Sequence, residues 1–209
     1  MNIFKTIALA ICVALITTFA SAAEKRIGVS ANFMMLETTG SETLRQSNNV
    51  TNTSKDEDAM VPSIFVEAVN DAGFGIGLDY VPVAELGSGT GDDDDAETSG
   101  ANKASAELAS HVTVYLIAEN SNGLYGKLGY AMADVDTTEN LSTGDTYGNT
   151  DTTGIMGAVG IKRDLGGPFL RAEVSMVDYD DVSITSTGGS VVKADVDSTN
   201  ITFSVGKAF

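Results

Sequence analysis

Large apolar residues alternate with small or polar ones in eight separate stretches of the chain. This period of two marks extended strands with one face in an apolar medium. The stretches are Ile27 to Met35, Val61 to Val69, Phe74 to Tyr80, Leu108 to Leu116, Leu124 to Met132, Ile155 to Ile161, Leu170 to Met176 and Ile201 to Phe209. In the fourth, Leu108, Val112, Val114 and Leu116 share a face, and in the last Ile201, Phe203, Val205 and Phe209 do. The second is the weakest: Ser63, Phe65 and Glu67 share one face against Ile64, Val66 and Ala68, which turns Phe65 toward an interior. Apolar runs are broken by polar residues or glycine every few positions after the N-terminus, so any membrane span must be made of strands.

The connections alternate in length. Residues 37–59, 84–101, 134–152 and 181–190 are long, whereas Asn70-Asp71-Ala72-Gly73, Asn120-Ser121-Asn122-Gly123 and Asp164-Leu165-Gly166-Gly167 are tight and rich in turn formers. Long on one side, short on the other, with an even strand count, is the pattern of a transmembrane barrel. Pro62, Pro82 and Pro168 fall near strand ends, where a missing N–H costs the ladder least.

The N-terminus reads as an export signal. Lys5 supplies the positive charge, Ile7 to Ile16 the short apolar run, and Ala20-Ser21-Ala22 a small-residue cleavage site. Residues 1–22 are therefore expected to be removed, leaving residues 23–209 as a barrel without its single Cys12 and without a disulfide. Charge excludes one class of partner: a net charge of −17 with no clustered Lys or Arg repels nucleic acid. No cofactor is expected.

With these stretches in place, the chain resembles the small eight-stranded outer-membrane β-barrel family of Gram-negative bacteria, the OmpA-like and porin-like barrels, over residues 23–209. The terminal run Ile201-Thr202-Phe203-Ser204-Val205-Gly206-Lys207-Ala208-Phe209 carries most of the likeness, with Lys207 departing from the usual apolar residue. The resemblance implies an all-β, eight-stranded antiparallel up-and-down transmembrane β-barrel in the outer membrane. It also implies that Phe203, Val205 and Phe209 are read by the barrel-assembly machinery, and that lipid and lipopolysaccharide surround the wall.

Physical chemistry supports the same fold, because strands in hydrocarbon must close into a ring to pair every backbone group. Eight strands leave a lumen that side chains fill. The inward set expected from alternation is polar: Ser30, Asn32, Glu67, Asp79, Glu107, His111, Lys127, Lys162, Arg171 and Glu173. Opposite charges there form a network that plugs the lumen, with Gly75, Gly77, Gly129 and Gly160 relieving crowding. Phe74 and Phe209 at one end, and Phe33, Tyr80 and Tyr130 at the other, make interfacial girdles. A soluble lipocalin-like barrel, with an apolar interior, is disfavoured by the charged inward set.

The long connections hold most of the acidic residues, forming an outer crown. Asp92, Asp93, Asp94 and Asp95 are the best candidate for attracting divalent cations, although no spaced ligand pattern accompanies them and a solvated loop is the simpler reading. The only histidine, His111, shares its expected face with Thr113 and Glu107, a weak basis for catalysis. The sequence thus points to a barrel that is not an enzyme, with a structural or surface-interaction role. A narrow cation-preferring pore is the alternative, and a lipid-modifying enzyme at His111 a minor third.

Overall fold

The computed structural model describes residues 23–44, 48–93 and 100–209. The expected signal peptide, residues 1–22, and two of the acidic candidates, Asp94 and Asp95, lie outside the described residues. Regular structure among the described residues is all strand: β1 (Ala23–Thr43), β2 (Val50–Asn70), β3 (Phe74–Val81), β4 (Ala84–Asp93), β5 (Gly100–Glu119), β6 (Leu124–Asn140), β7 (Thr150–Asp164), β8 (Pro168–Tyr179), β9 (Val182–Thr185) and β10 (Val191–Ala208). Neighbours pair antiparallel, and β1 pairs β10 from Arg26 opposite Ala208 to Thr43 opposite Val191, which closes the ring. β3 and β4 are two segments of one stave, interrupted at Pro82 and Val83, and β8 and β9 are likewise interrupted at Asp180 and Asp181. The barrel therefore has eight staves, as the alternation predicts.

The tight connections at one rim follow from their residues. Asn70 accepts hydrogen bonds on its side chain from the N–H groups of Ala72 and Phe74, and Asn120 does the same for Asn122 and Leu124. Gly73 and Gly123 complete these turns at φ +82°, a conformation that costs glycine nothing. Their carbonyls then accept the N–H groups of Glu119 and Lys162 on the next stave. At the same rim, Phe209 and Lys25 exchange backbone hydrogen bonds.

The long connections at the other rim are mostly not loops. β1 continues to Thr43 and β2 begins at Val50, so much of the expected 37–59 loop is ladder, and β4 runs through Asp92 and Asp93 against β5. These extensions escape a hydrophobic-periodicity test because both faces of much of the wall there are wet: all residues of β2 from Val50 to Asp56 are exposed.

On the lower part of the wall the outward face is apolar. Ile27, Val29, Phe33 and Met35 on β1, Leu128 and Tyr130 on β6, and Ile201, Phe203 and Val205 on β10 are exposed to the surroundings. On β1 this band spans the nine residues from Ile27 to Met35, about the length a tilted strand needs to cross a bilayer. The remaining residues of β1 carry the wall about 26 Å further at ~3.3 Å per residue. Just above the band, four carboxylates stand in cross-strand register on four adjacent staves: Asp56 opposite Glu37, Glu37 opposite Asp197, and Asp197 opposite Asp178.

Candidate functional site

The lumen has two storeys of opposite character. The lower one, at the height of the apolar band, is filled by ion pairs. The Arg171 guanidinium donates through both terminal nitrogens to the two Glu67 oxygens at 2.6 Å each, and the Tyr115 hydroxyl donates to Glu67 at 2.7 Å. Such a fork is the strongest geometry a buried pair adopts. Arg171 is also held between rings, with its guanidinium carbon 4.9 Å from the Phe169 centroid, 5.0 Å from Tyr125 and 5.2 Å from Phe65. Beside it Lys127 pairs with Glu173 at 2.7 Å, and Tyr125 donates to the same carboxylate oxygen at 2.8 Å. Toward the tight-turn rim, Glu119 accepts Arg26 at 2.7 Å and Lys162 at 2.9 Å, while Glu24 takes the remaining face of Arg26.

A chain of neutral groups completes this storey. Thr202 donates to Asn32 at 2.8 Å, Asn32 to Ser63 at 3.1 Å, and Ser63 to Asp79 at 3.0 Å. Four cations, Arg26, Lys127, Lys162 and Arg171, thus face the four buried carboxylates Glu67, Asp79, Glu119 and Glu173, with Glu24 and the exposed Asp164 as further partners at the rim.

Most of the residues expected to face the lumen are brought together here: Glu67, Asp79, Lys127, Arg171 and Glu173 in one cluster, Lys162 at its lower edge, and His111 above it. Phe65 also points inward and is 2% exposed. Glu107 does not join them. The β5–β6 register shifts between Leu108 and Ser110, so Ala109 is the extra residue of a bulge. A bulge reverses which residues face inward. Below it His111, Thr113 and Tyr115 are buried, and above it Leu108 turns inward while Glu107 is exposed.

Several residues of the plug escape a search for charged inward positions. Arg26 and Glu119 lie beyond the ends of the alternating runs. Tyr115 and Tyr125 carry no charge, and the glycines opposite them make room for their inward rings. A side chain at Gly77 would meet the Tyr115 ring at 2.5 Å, and one at Gly160 the Tyr125 ring at 2.5 Å.

Above the plug the lumen turns apolar. A small chamber of about 60 Å³, walled by residues including Ser30, Asn32, Asp79, Thr202 and His111, gives way at Met34 to a vestibule of about 880 Å³. The vestibule walls include Leu36, Leu108, Ala133, Val135, Tyr179 and Val196. The expectation of a uniformly polar interior is therefore corrected: the upper lumen is the apolar kind that a soluble barrel has. Leu36, Leu108, Ala133, Val135 and Val196 face inward here beside Glu42, Glu57 and Glu139, while Glu37, Asp56, Asp178 and Asp197 face outward, because this part of the wall stands in water.

Three further features surround the vestibule. β2 pairs β3 only up to Ile64 opposite Tyr80, and β4 pairs β5 alone, so no ladder joins the upper part of β2 to β4 among the described residues. Pro62 and Pro82 flank the start of this seam, each without an N–H to donate. Met60 and Val83 beside it are 69% and 60% exposed, and higher up a side chain at Gly87 would meet the Glu57 carboxylate at 3.2 Å. At the mouth, the segment between β6 and β7 reaches to the opposite side of the ring, where Tyr147 donates to Glu42 at 2.6 Å. Burial first, and then the Glu42 hydrogen bond, push the Tyr147 phenol above its ordinary range. The same segment exchanges hydrogen bonds with Thr187 through the N–H and C=O of Thr146.

His111 sits between the storeys. It bonds through Nε2 to the Tyr179 hydroxyl at 3.0 Å, and neither Thr113 nor Glu107 is its partner. Its Nδ1 and the Arg171 Nε are the buried side-chain polar atoms without a partner among the described residues. No group of three or more metal-ligating side chains occurs among the described residues.

No family model matches the sequence, and no curated protein matches it. Solved structures do match the fold. The outer membrane protein OprG from Pseudomonas aeruginosa aligns with a TM-score of 0.59 at 14% identity, over 91% of this chain and 98% of that one. Ail, the attachment invasion locus protein of Yersinia pestis, aligns with a TM-score of 0.50 at 11% identity, over 90% and 100% of the two chains. The outer membrane protease OmpT from Escherichia coli aligns with a TM-score of 0.50 at 8% identity, over 92% and 100%. The last overturns the expectation that the chain is not an enzyme: a protease shares this fold, and the fold leaves enzymatic status undetermined. The likeness extends to small outer-membrane barrels broadly and gives no support to the narrower OmpA-like label. The chain has the eight-stranded, all-β fold of the outer-membrane β-barrel proteins.

Proposed function

We propose that the protein is an integral outer-membrane barrel that takes small apolar molecules into its outward vestibule and exchanges them sideways with the lipid. The observation that carries this reading is the position of the unpaired β2/β4 seam, which lies beside the vestibule and starts where the outward apolar band ends. Below the vestibule the Arg171–Glu67 fork and the stacked rings stand across the lumen, so a straight path to the periplasmic rim meets a closed floor. An apolar-walled cavity of this size is of the order that holds a small ligand. Lipid and lipopolysaccharide around the wall, export by cleavage after Ala22, and assembly through Phe203, Val205 and Phe209 belong to the same proposal.

The test is methyl-resolved NMR of the refolded barrel in lipid nanodiscs titrated with octane. Saturable shifts at Leu36, Val135 and Val196 are expected; shifts confined to lipid-facing methyls such as Val159 would refute it. Conductance in a planar bilayer addresses the cation-pore alternative, since stable cation-selective steps would require the floor to open. A surface-contact role gains support from one further observation: β2, β1, β10 and β8 carry an acidic row on the outer wall just above the band, formed by Asp56, Glu37, Asp197 and Asp178.

A further inference from the structure

The vestibule has an apolar wall but its base holds a polar group with nothing to bind. His111 is 7% exposed, and its Nδ1 has no partner although its Nε2 does. A buried nitrogen left unpaired costs free energy comparable to a lost hydrogen bond, so an occupant at this level is favoured. The ring lines the small chamber directly beneath the vestibule, and its partner Tyr179 lines the vestibule itself. Met34 belongs to both walls, and its unbranched side chain is the kind that swings aside for a ligand.

From these positions we infer that the preferred occupant is a neutral molecule with an apolar body and a single hydrogen-bond-accepting oxygen, such as a ketone or ester, whose oxygen reaches Nδ1 of His111. This inference rests on the vestibule reading and adds the class of substrate. Of the two arrangements open to the Tyr179–His111 pair, the one in which the phenol donates to Nε2 leaves no phenol proton unpaired and puts the ring's own proton on Nδ1. Nδ1 therefore donates, and the matching ligand atom is an acceptor. The acceptor is uncharged because the vestibule wall carries Glu42, Glu57 and Glu139 against Lys55, while the charges lining the chamber below, Asp79 and Glu173 against Lys127 and Arg171, balance. A carboxylate would enter against this field.

The experiment compares octane, 2-octanone and octanoate, titrated into the refolded barrel in nanodiscs, with vestibule methyl shifts and the His111 ring ¹⁵N shifts as readouts. The ketone is expected to bind about tenfold more tightly than the alkane at equal lipid-corrected concentration, the range of one net hydrogen bond. Octanoate is expected to bind more weakly than the ketone, and the ketone alone to move Nδ1. His111→Phe should reduce ketone affinity to that of octane while leaving octane binding in place, which also reports that the variant is folded. Tyr179→Phe keeps Nδ1 available in one tautomer and should retain at least part of the preference. Equal binding of octane and ketone, or a ketone preference that survives His111→Phe, overturns this inference and leaves the vestibule reading standing. So does a His111 ¹⁵N signal that shows only water contacts and does not move with ketone, which would assign the chamber to ordered water. Failure of all three molecules to shift the vestibule methyls overturns the vestibule reading as well.

Discussion

Removing Arg171 is the sharpest test of the closed floor. Its side chain is 1% exposed and that of Glu67 is fully buried, so Arg171→Ala strips two charge-assisted hydrogen bonds of 2.6 Å from a carboxylate that has no access to water. What remains to Glu67 is the Tyr115 hydroxyl and the Arg26 guanidinium at 3.8 Å. Breaking one side of a buried pair costs about 3–5 kcal/mol, and the nearby Arg26 places this case toward the lower end. The vacated space between Phe65, Tyr125 and Phe169 adds to the loss. Urea unfolding in lipid vesicles measures the difference, with folded and unfolded chains separated by mobility on unheated gels. The double variant Arg171→Met with Glu67→Gln removes both charges and keeps an acceptor for Tyr115, so most of the loss should return. A single variant within about 1 kcal/mol of the parent, or a double variant no better than the single, would refute the plug as a stabilising unit. Conductance of the single variant reads the same fork from the other side: a new steady current identifies it as the floor.

Other parts of the wall make separate predictions. Gly77→Ala places a methyl 2.5 Å from the Tyr115 ring, so it should cost about 1–3 kcal/mol of overpacking and weaken the Tyr115 bond to Glu67, visible as a shifted tyrosine signal. Asp197→Asn relieves like-charge contacts with both Glu37 and Asp178 and should raise stability by about 0.2–1 kcal/mol per pair, more at low salt than at high. The strap across the mouth should release at alkaline pH. Because the phenol of Tyr147 titrates higher when folded, its contribution is complete below the ordinary tyrosine range and is lost as pH rises through the elevated value. Hydrogen exchange of residues 141–149 should therefore stay slow through the ordinary range in the parent and be fast at neutral pH in Tyr147→Phe.

The staves that cross the apolar band were legible because a lipid-facing wall demands alternation, and Ile27 to Met35 or Ile201 to Phe209 have no other way to place their residues. The tight rim was equally legible, since Asn70 and Gly73, or Asn120 and Gly123, encode their turns locally. The extended walls were not, because Val50 to Asp56 face water on both sides and leave no contrast in hydrophobicity. Glu107 was misplaced by one residue: the bulge at Ala109 reverses inward and outward, and nothing local in Ala-Ser-His announces it. Pro82 does fall at the end of β3, but Pro62, expected near an end, lies inside β2, which runs on from Val50 to Asn70 and loses its partner on one side just there. Charged plug residues follow from parity, and so do Tyr115, on the face of His111 and Thr113, and Tyr125, on the face of Lys127; the glycines of neighbouring staves make the room their rings need.

Inside and outside exchange polarity once along the axis of this barrel. Around the plug the wall is apolar outward and polar inward, and around the vestibule it is the reverse, so one continuous sheet is stabilised by two solvents. The upper half hides its apolar residues inside its own lumen and the lower half hides them in lipid, so unfolding into water exposes apolar surface from both, and only the upper half keeps its share of that stabilisation without a bilayer.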